Sequence, residues 1–310
     1  MNRVLVTGAT GFLGRAVVTA FVEDGNLVRA ATRSEPDPPF GANVEVVMHP
    51  DLAEPVDWRP LLDGIDIVIH LAGIAHITTS LRPDLYDRVN HLATAQAAAA
   101  AVQCGIRRFV FVSSIRAQCG PAANHALTER DPPAPSDSYG RSKLAAEAAV
   151  ASSGVPFTIL RPVLLYGPGV KGNLATLLRA ARSPWPLPVK LFGNRRSLLG
   201  IKNFISALRF VLSAPQTIGG TYVVADPGIP PSIAELIAMM REAQGRRPRL
   251  VPIPPALFEL PLRLLGRGEL WRRLGGDLRV DPGKLIAAGW KPPEDTRTGI
   301  AAMVQAAQTA

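Results

Sequence analysis

A tyrosine and a lysine four residues apart are the side chains of this sequence best suited to proton transfer. Tyr139 and Lys143 lie in SYGRSKLAAEAA, at the start of a predicted helix. Residues at this spacing share one helix face, about 6 Å apart along the axis. A tyrosine with a pKa of about 10 is only about 0.1% ionised at pH 7. We expect the lysine cation, about 5 Å away at an effective dielectric near 20, to lower that pKa by about 2.

A serine provides a third polar group for the same reaction. The apolar run FVFVSS ends at Ser113 and Ser114, and Ser114 precedes Tyr139 by 25 residues. Ligands of open α/β sheets bind at the carboxyl ends of strands, where this hydroxyl would meet a substrate oxygen. A YxxxK pattern alone is also compatible with the start of a surface helix. The order of glycine loop, serine-ended strand and YxxxK favours a catalytic site.

A glycine-rich loop follows the first apolar run. TGATGFLG carries Gly8, Gly11 and Gly14 between a predicted strand and a predicted amphipathic helix. Glycine lets the backbone approach phosphates closely, and the free N–H groups of a helix N-terminus attract them. This context predicts a site for the pyrophosphate of a dinucleotide rather than a simple tight turn.

The end of the second strand bears on the choice of nicotinamide cofactor. A site selective for NAD would place an acidic residue about 20 residues past the loop, but Arg33 stands there. Arg33 could pair with a 2′-phosphate and favours NADP, while nearby Glu35 keeps NAD open. Four residues after the third strand or at the end of the fourth are further candidates for cofactor contact: Asp51, Leu52, Leu71 and Ala72.

These residues need a scaffold, and the first half of the chain predicts one. Apolar, β-branched runs at 4–7, 27–31, 44–47, 65–71, 109–113 and 158–160 read as buried strands. Helical patterns at 11–23, 85–104 and 139–153 lie between them. Strands and helices in alternation predict an α/β fold with a doubly wound parallel sheet.

The second half changes in texture. Proline and glycine become dense at 166–172, 183–188 and 248–255, which predicts a smaller, loop-rich region, while a strand at 221–224 could rejoin the sheet. We therefore predict a dinucleotide-binding Rossmann domain at 1–168 plus about 199–224. The substrate-binding region would comprise about 169–198 and 225–310.

Composition narrows the class of protein. With 310 residues, 47% hydrophobic and 19% charged, the chain can bury a large core, and no run of 18 apolar residues predicts a membrane span. The early strand leaves no room for a secretory leader, and two cysteines outside any ligand-spaced cluster argue against a disulfide framework or a zinc site. We expect a cytoplasmic protein without a metal.

Net charge indicates an anionic ligand. The chain carries 34 Lys and Arg against 25 Asp and Glu, a formal charge of +9. Its arginines are scattered in ones and twos, without a basic stripe interleaved with aromatic residues. This distribution favours a phosphorylated small molecule over nucleic acid as the partner. Because no apolar run is long enough to span a bilayer, we also expect no membrane partner.

These motifs together resemble the extended short-chain dehydrogenase/reductase family, and within it the nucleotide-sugar epimerases, dehydratases and 4-ketosugar reductases. TGATGFLG, HLA, the Ser114 strand end, YGRSK and LRPVLLYGPG occur in the family's order over almost the whole chain. The resemblance implies Ser114, Tyr139 and Lys143 as catalytic residues, supported by Asn90. It implies further contacts to NAD or NADP from Tyr139 and Lys143 and from Thr10, Phe12, Leu13, Gly73, Arg161, Pro162 and Val163.

The resemblance also extends to the substrate. GVKGN, with Asn173, and NRRSLLGIKN, with Arg196, are similar to segments that contact the sugar nucleotide and its pyrophosphate. An arginine suits a pyrophosphate because it donates charge-assisted, bidentate hydrogen bonds, although Arg195 could do the same. The chain departs from the family where Gln118-Cys119 replaces a Tyr-Gly pair. The most similar subgroup contains UDP-glucose 4-epimerase-like proteins and UDP-4-keto-6-deoxysugar reductases.

Several functions remain open at this level. A homodimer through the helices beginning near Leu85 and Tyr139 is implied by the resemblance, with a UDP-sugar as the substrate partner. One alternative is a reductase or dehydrogenase of a non-nucleotide alcohol or ketone, which would not need Arg196. Another is a non-catalytic NADP-binding redox sensor, which would not need Tyr139 or Lys143.

Overall fold

Short β-branched runs and amphipathic helices alternate through a computed structural model that describes residues 1–75, 83–257 and 276–309. Within these ranges, no helix combines the length and the apolar character needed to cross a bilayer. The strands in chain order are β1 (Arg3–Thr7), β2 (Leu27–Thr32), β3 (Val44–Met48), β4 (Ile67–His70), β5 (Arg108–Val112), β6 (Ala126–Leu127), β7 (Phe157–Pro162), β8 (Leu164–Tyr166), β9 (Leu198–Gly200), β10 (Gly220–Val224) and β11 (Arg279–Val280).

The helices surround these strands. In chain order they are α1 (Phe12–Glu23), α2 (Arg59–Leu62), α3 (Pro83–Tyr86), α4 (Ala93–Gln103), α5 (Ser138–Ser152), α6 (Gly172–Arg182), α7 (Ile201–Ser213), α8 (Ile233–Glu242), α9 (Gly283–Ala287) and α10 (Thr296–Thr309). A π-helical segment, Asp87–Leu92, joins α3 to α4. Short 3-10 turns occupy Ile115–Ala117 and Pro215–Thr217.

Seven strands form one parallel sheet in the order β10-β7-β5-β4-β1-β2-β3. Strand order reverses between β1 and β4, and this switch point opens a crevice at their carboxyl ends. Successive β1 side chains enter opposite layers: Val4 and Val6 join one core cluster, whereas Leu5 joins the other. The predicted doubly wound parallel sheet is confirmed, and β10 rejoins it beside β7.

A third core cluster lies outside the sheet. Helices α6, α8 and α10 pack together with β8 and β9 around Tyr166, Leu174, Leu178, Leu198, Leu236, Ile237, Met240, Ile300, Met303 and Val304. Except for Tyr166, these residues belong to the segments predicted to bind the substrate, of which residues 258–275 lie outside the described ranges.

Part of the C-terminal chain nevertheless packs on the Rossmann core. Leu278, Val280, Leu285 and Trp290 belong to the cluster that contains Val4 and Val6. The β11 strand also pairs with β6. The domain boundaries therefore stay a prediction.

Candidate active site

Tyr139 occupies the first turn of α5, where an aspartate fixes the start of the helix. Asp137 has extended backbone, and its Oδ1 accepts the Gly140 N–H at 2.7 Å. Such a side-chain cap satisfies one of the N–H groups that a helix leaves unpaired at its N-terminus. Gly140 must be small here, because a Cβ would lie 2.2 Å from the Arg116 carbonyl oxygen. The first turn of α5 is thus pressed against residue 116, directly beside Ser114.

Ser114 and Tyr139 are brought together at the carboxyl end of β5. Their side chains are hydrogen-bonded, and Ser114 Oγ also accepts the Arg116 N–H at 3.2 Å. Tyr86 packs edge-on against Tyr139 with ring centroids 6.2 Å apart. Two of the predicted catalytic hydroxyls therefore adjoin, and Tyr86 is an aromatic neighbour of Tyr139 that the sequence pattern did not indicate.

The acidity of Tyr139 differs from the expectation. Burial raises the pKa of the phenol above its ordinary value, and only secondarily do the Ser114 hydrogen bond and the Arg116 charge lower it. The predicted acidification by Lys143 is not met in the protein by itself. The pKa is raised because the low polarity around the Tyr139 ring disfavours the phenolate more than nearby cations favour it.

Lys143 lies one turn further along α5 and is buried, with 4% of its surface exposed. Its Nζ donates to the Val112 carbonyl oxygen at 2.8 Å and lies 4.3 Å from the centre of the Phe111 ring. Burial lowers the pKa of Lys143 to about 7, and Glu147 opposes this shift. Lys143 is thus positioned at the end of β5, with a proton that it can release near neutral pH.

Asn90 holds the loop after β4 against α5. Its Oδ1 accepts the Ile74 N–H at 2.8 Å, and its Nδ2 donates to the Ile74 carbonyl and to Ser142 Oγ, both at 3.0 Å. Asn90 is fully buried within the π-helical segment. Gly73 fits underneath, because a Cβ there would lie 2.8 Å from Asn90 Oδ1 and 3.9 Å from Lys143 Nζ. Asn90 and Gly73 therefore adjoin the lysine.

Arg116 is a site residue that the sequence reasoning missed. Its Nη2 pairs with Asp137 Oδ2 at 2.5 Å, and 13% of its side chain is exposed. The Arg116 and Asp137 charges act on the Tyr139 phenol in opposite directions. An aspartate before a helix is a recognisable cap pattern, so Asp137 could have been found, but the partner 21 residues upstream could not.

The glycine loop has the close packing that a dinucleotide site requires. Gly8 has φ +66°, a conformation that favours glycine, and a Cβ there would meet the Ala72 N at 2.9 Å. A Cβ on Gly14 would lie 2.2 Å from the Gly8 carbonyl oxygen. Helix α1 begins directly after Gly11 without a side-chain cap, which leaves its N-terminal N–H groups for an anion. Thr10, Phe12 and Leu13 line this same turn.

A hydrogen-bond chain fixes the end of β4 beside that loop. Thr94 Oγ1 donates to the Asn90 carbonyl, so His70 Nε2 is the donor in its 3.0 Å contact with Thr94 Oγ1. His70 Nδ1 then accepts from Thr7 Oγ1 at 3.0 Å, and Thr7 Oγ1 accepts the Ala72 N–H at 3.1 Å. Burial lowers the pKa of His70 to about 3, so the ring is neutral. These hydrogen bonds position Leu71 and Ala72.

Arg33 and Asp51 adjoin at the ends of β2 and β3. Arg33 Nη1 lies 4.0 Å from Asp51 Oδ2, and both side chains are largely exposed. Leu52 beside them is buried. The arginine that could favour a 2′-phosphate therefore already has a carboxylate neighbour.

Arg161 is engaged inside the protein. Its guanidinium donates to Glu147 through Nε at 3.0 Å and Nη2 at 2.5 Å, and to Gln118 Oε1 at 3.0 Å. Ser113 Oγ donates to Glu147 at 2.5 Å. We refer to Ser113, Gln118, Glu147 and Arg161 as the buried ion-pair network. Arg161 braces α5 against β5 and β7, and only its backbone, with Pro162 and Val163, lies at the strand end where the cofactor is expected.

The two neighbouring arginines of the second half point to different places. Arg195 binds Glu235 at 2.9 Å and the Pro230 carbonyl, which commits it to α8. Arg196 donates to the Gly276 and Pro121 carbonyls, and burial, followed by the charge of Arg116, lowers its pKa. Of the two arginines, Arg196 therefore lies on the side of the site where Arg116 is found. Asn173 is exposed on the first turn of α6.

These features match a known protein family. The model of the NAD dependent epimerase/dehydratase family matches residues 4–225. The chain belongs to this family, and it is an enzyme of the extended short-chain dehydrogenase type.

Individual relatives narrow the comparison. The UDP-glucose 4-epimerase of Vibrio cholerae is 31% identical over 98% of this chain and 94% of its own length. The ceramide reductase of Caulobacter vibrioides is 32% identical over 81% of this chain and 73% of its own length. Among solved structures, MoeE5 in complex with UDP-glucose and NAD has a TM-score of 0.75 and 25% identity, with 99% of each chain covered.

Proposed function

We propose that this enzyme acts at C4 of a nucleotide-diphosphate sugar, with Tyr139 as the proton-transfer group. The observation that carries the proposal is the Ser114–Tyr139 hydrogen bond, with Lys143 one helical turn further along. The site stands at the carboxyl end of β5, next to the glycine loop. The UDP-glucose 4-epimerase relative supports a UDP-sugar as the substrate.

The residues divide the reaction among them. Ser114 and Tyr139 hydrogen-bond the C4 oxygen, and Tyr139 Oη exchanges a proton with it. Lys143 binds the cofactor ribose, while Ser114 and the Arg116 charge lower the pKa of the Tyr139 phenol against the effect of burial. When bound, the dinucleotide supplies an acceptor and donor of hydride at C4. Asn90 keeps the Gly73 loop and α5 in register, and Arg196 with Asn173 binds the nucleotide end of the substrate.

NAD is the better supported of the two cofactors. The Arg33–Asp51 contact offsets the charge that would attract a 2′-phosphate. MoeE5, which has a similar fold, is in complex with NAD. We expect the Gly8–Gly14 turn to hold the pyrophosphate and Asp51 with Leu52 to border the adenine.

Tightly held NAD would favour epimerisation, in which the cofactor is regenerated. We expect native mass spectrometry of the purified protein to detect retained NAD. UDP-glucose should then interconvert with its C4 epimer without net change in the absorbance of reduced nicotinamide. Failure to convert any UDP-sugar or UDP-4-ketosugar, with either nicotinamide, would overturn the proposal.

A 4-ketosugar reductase is the second candidate, favoured by Arg33. This version predicts an empty site in native mass spectrometry and stoichiometric loss of NADPH absorbance with a UDP-4-keto-6-deoxysugar. A reductase of a non-nucleotide alcohol or ketone is a third, supported by the ceramide reductase relative. Arg196→Met separates it, because only a nucleotide-sugar enzyme should show a raised KM for its substrate.

Assembly, compartment and domain boundaries complete the proposal. We place the enzyme in the cytoplasm as a homodimer through the helices beginning near Leu85 and Tyr139. A Rossmann domain at 1–168 and about 199–224 would bind the dinucleotide, and the remainder would bind the sugar nucleotide. Sedimentation equilibrium of the full chain tests the dimer.

A further inference from the structure

Two neighbouring segments of the second half form a cationic surface that the proposed reaction does not use. Residues 183–191 and 246–251 run side by side, and we call them the basic loop pair. Leu187 N donates to the Arg249 carbonyl at 3.1 Å, Val251 N to the Leu187 carbonyl at 2.8 Å and Lys190 N to the Val251 carbonyl at 3.2 Å. These backbone bonds give the surface a defined shape.

A buried arginine ties the two segments together. Arg241 of α8 is 2% exposed, and it donates to the Trp185 carbonyl at 2.7 Å and to the Pro248 carbonyl at 2.6 Å. Because its donors are engaged by backbone oxygens, Arg241 acts as a structural clamp. It also places a positive charge directly beneath the surface.

The charge of the basic loop pair is one-sided. Arg246, Arg247, Arg249 and Lys190 are exposed, and neither segment contains Asp or Glu. Three of these arginines and Arg241 line a concavity of about 380 Å³ together with Ser183 and Pro184. Cations grouped without interspersed carboxylates create a local potential that attracts extended anionic surfaces.

Exposed apolar side chains accompany the cations. Trp185 is 74% exposed, Leu191 49% and Val251 39%. Trp185 stands between Pro184 and Pro186, which restrict its backbone. An exposed tryptophan on the same loop pair as exposed aliphatic side chains and arginines matches the composition of surfaces that sit at a membrane interface, where an indole ring occupies the headgroup level.

We propose that the basic loop pair docks the enzyme peripherally on an anionic phospholipid bilayer. Charge complementarity commits the proposal to this occupant, since the cytoplasmic face of membranes carries a negative surface potential that juxtaposed Lys and Arg exploit. Trp185, Leu191 and Val251 enter the interface while the arginines contact the headgroups. Single-stranded nucleic acid is less well matched, because its binding surfaces stack successive bases on several aromatic rings and this one offers a single ring.

This contact is independent of the proposed reaction. Ser114, Tyr139 and Lys143 lie on the Rossmann sheet and α5, whereas the basic loop pair packs on α6 and α8. The expectation of no membrane partner rested on the lack of a spanning stretch, which has no bearing on a peripheral contact.

Co-sedimentation of the full chain with vesicles tests the proposal. Wild-type protein should bind vesicles of phosphatidylcholine mixed with phosphatidylglycerol and not vesicles of phosphatidylcholine alone, and binding should weaken as salt rises. Arg246→Gln/Arg247→Gln should lower the partition coefficient by about 30-fold, since each basic residue near an anionic bilayer contributes about fivefold. Trp185→Ala should lower it as well, and Trp185 fluorescence should shift to shorter wavelength on binding.

A matched control separates this surface from overall charge. Arg107→Gln/Arg130→Gln removes the same net charge from exposed positions elsewhere and should leave the partition coefficient nearly unchanged. Unaltered thermal unfolding and turnover of Arg246→Gln/Arg247→Gln would verify its fold. Equal binding by all variants, no binding to anionic vesicles, or binding only to an oligonucleotide would overturn the proposal, whatever the outcome for UDP-sugars.

Discussion

Among the individual residues, Tyr139 matters most, because the proposed reaction depends on the acidity of its phenol. Burial is the largest influence and raises the pKa of the phenol, while Ser114 and then Arg116 lower it and Asp137 raises it. The charged pair formed by Arg116 and Asp137 at the start of α5 therefore adjusts the pKa of the proposed proton-transfer group without itself exchanging a proton with the substrate. We therefore assign Arg116 and Asp137 as positioning residues.

Substitutions in that pair should move the pH profile in opposite directions. In the direction where Tyr139 accepts a proton, kcat/KM rises with pH through its pKa. Asp137→Asn removes a charge that raises the pKa and should move this limb by about 0.5 to lower pH, while Arg116→Gln should move it by about 0.5 to higher pH. Asparagine also caps helices, so α5 should stay intact. Shifts in the same direction for both variants would contradict the assignment.

Lys143 gives a second prediction through stability. Its pKa of about 7 in the folded protein lies below its ordinary value of 10.5, so between these values the unfolded chain binds more protons. The free energy of unfolding therefore rises with pH between the folded-state pKa and the ordinary pKa of Lys143. This gain in stability is lost as the pH falls toward 7. Relative to Lys143→Met, the wild-type free energy of unfolding should gain about 2 kcal/mol between pH 7 and pH 9.

Urea unfolding of both proteins at the two pH values measures that difference. Parallel changes in wild type and Lys143→Met would show that Lys143 keeps an ordinary pKa in the folded chain.

Residue types and spacing predicted much of this site, but not its electrostatics. Ser114 and Tyr139 could be paired because Ser114 ends a recognisable strand and Tyr139 begins a recognisable helix. The raised pKa of Tyr139 could not be predicted, because the burial of its ring depends on Tyr86 and on segments distant in sequence. Likewise, only the fold distinguishes Arg196 from Arg195, since Glu235 lies 40 residues away along the chain.

Among the helices and strands, α5 must be positioned most accurately, because it carries Tyr139 and Lys143 of the proposed site. The buried ion-pair network connects it to β5 through Ser113 and to β7 through Arg161. Both Glu147 and Arg161 have side chains less than 10% exposed, at 6% and 7%. A buried pair is a weak source of stability but is costly to break on one side.

Removing one charge of this network should therefore lower the free energy of unfolding more than removing both charges. Arg161→Met leaves Glu147 buried without its cation and should lower the free energy of unfolding by about 3–5 kcal/mol. Glu147→Gln/Arg161→Met removes both charges and should recover part of that loss. Urea denaturation of the three proteins provides the comparison, and a double variant less stable than the single one would argue against an electrostatic origin.

The elements themselves were largely predictable. The β-branched runs became β1 to β5 and β7, and the 3.6-residue patterns became α1, α4 and α5, because local periodicity and the buried sheet favour the same structure. Short pieces were not predictable: β6 and β11 are two residues each, and the π-helical segment carrying Asn90 has the same apolar periodicity as an ordinary helix.

At the scale of the whole molecule, the C-terminal chain is fastened to the Rossmann core. Trp290 is 1% exposed in the cluster that contains Val4 and Val6, and its Nε1 donates to Ser206 Oγ at 3.2 Å. The alternation of strands and helices indicated where the sheet begins. It did not predict that the C-terminal chain packs on the Rossmann core, because a single tryptophan does not reveal its packing partner.

Trp290→Ala should thus weaken the entire fold. Loss of a fully buried tryptophan should lower the free energy of unfolding by about 3–5 kcal/mol. Circular dichroism and intrinsic fluorescence should report one common transition for the variant. An early, separate transition confined to the C-terminal region would instead support an independent domain after residue 225.

Tyr139→Phe shows whether the Tyr139 hydroxyl transfers the proton at the reacting carbon. The substitution keeps the ring against Tyr86 and removes only the hydroxyl. We predict that turnover of the active UDP-sugar falls by about 10²- to 10⁴-fold, while the retained or titrated dinucleotide binds as in wild type. Turnover within about twofold of wild type at equal dinucleotide occupancy would show that the Tyr139 hydroxyl is not the proton-transfer group.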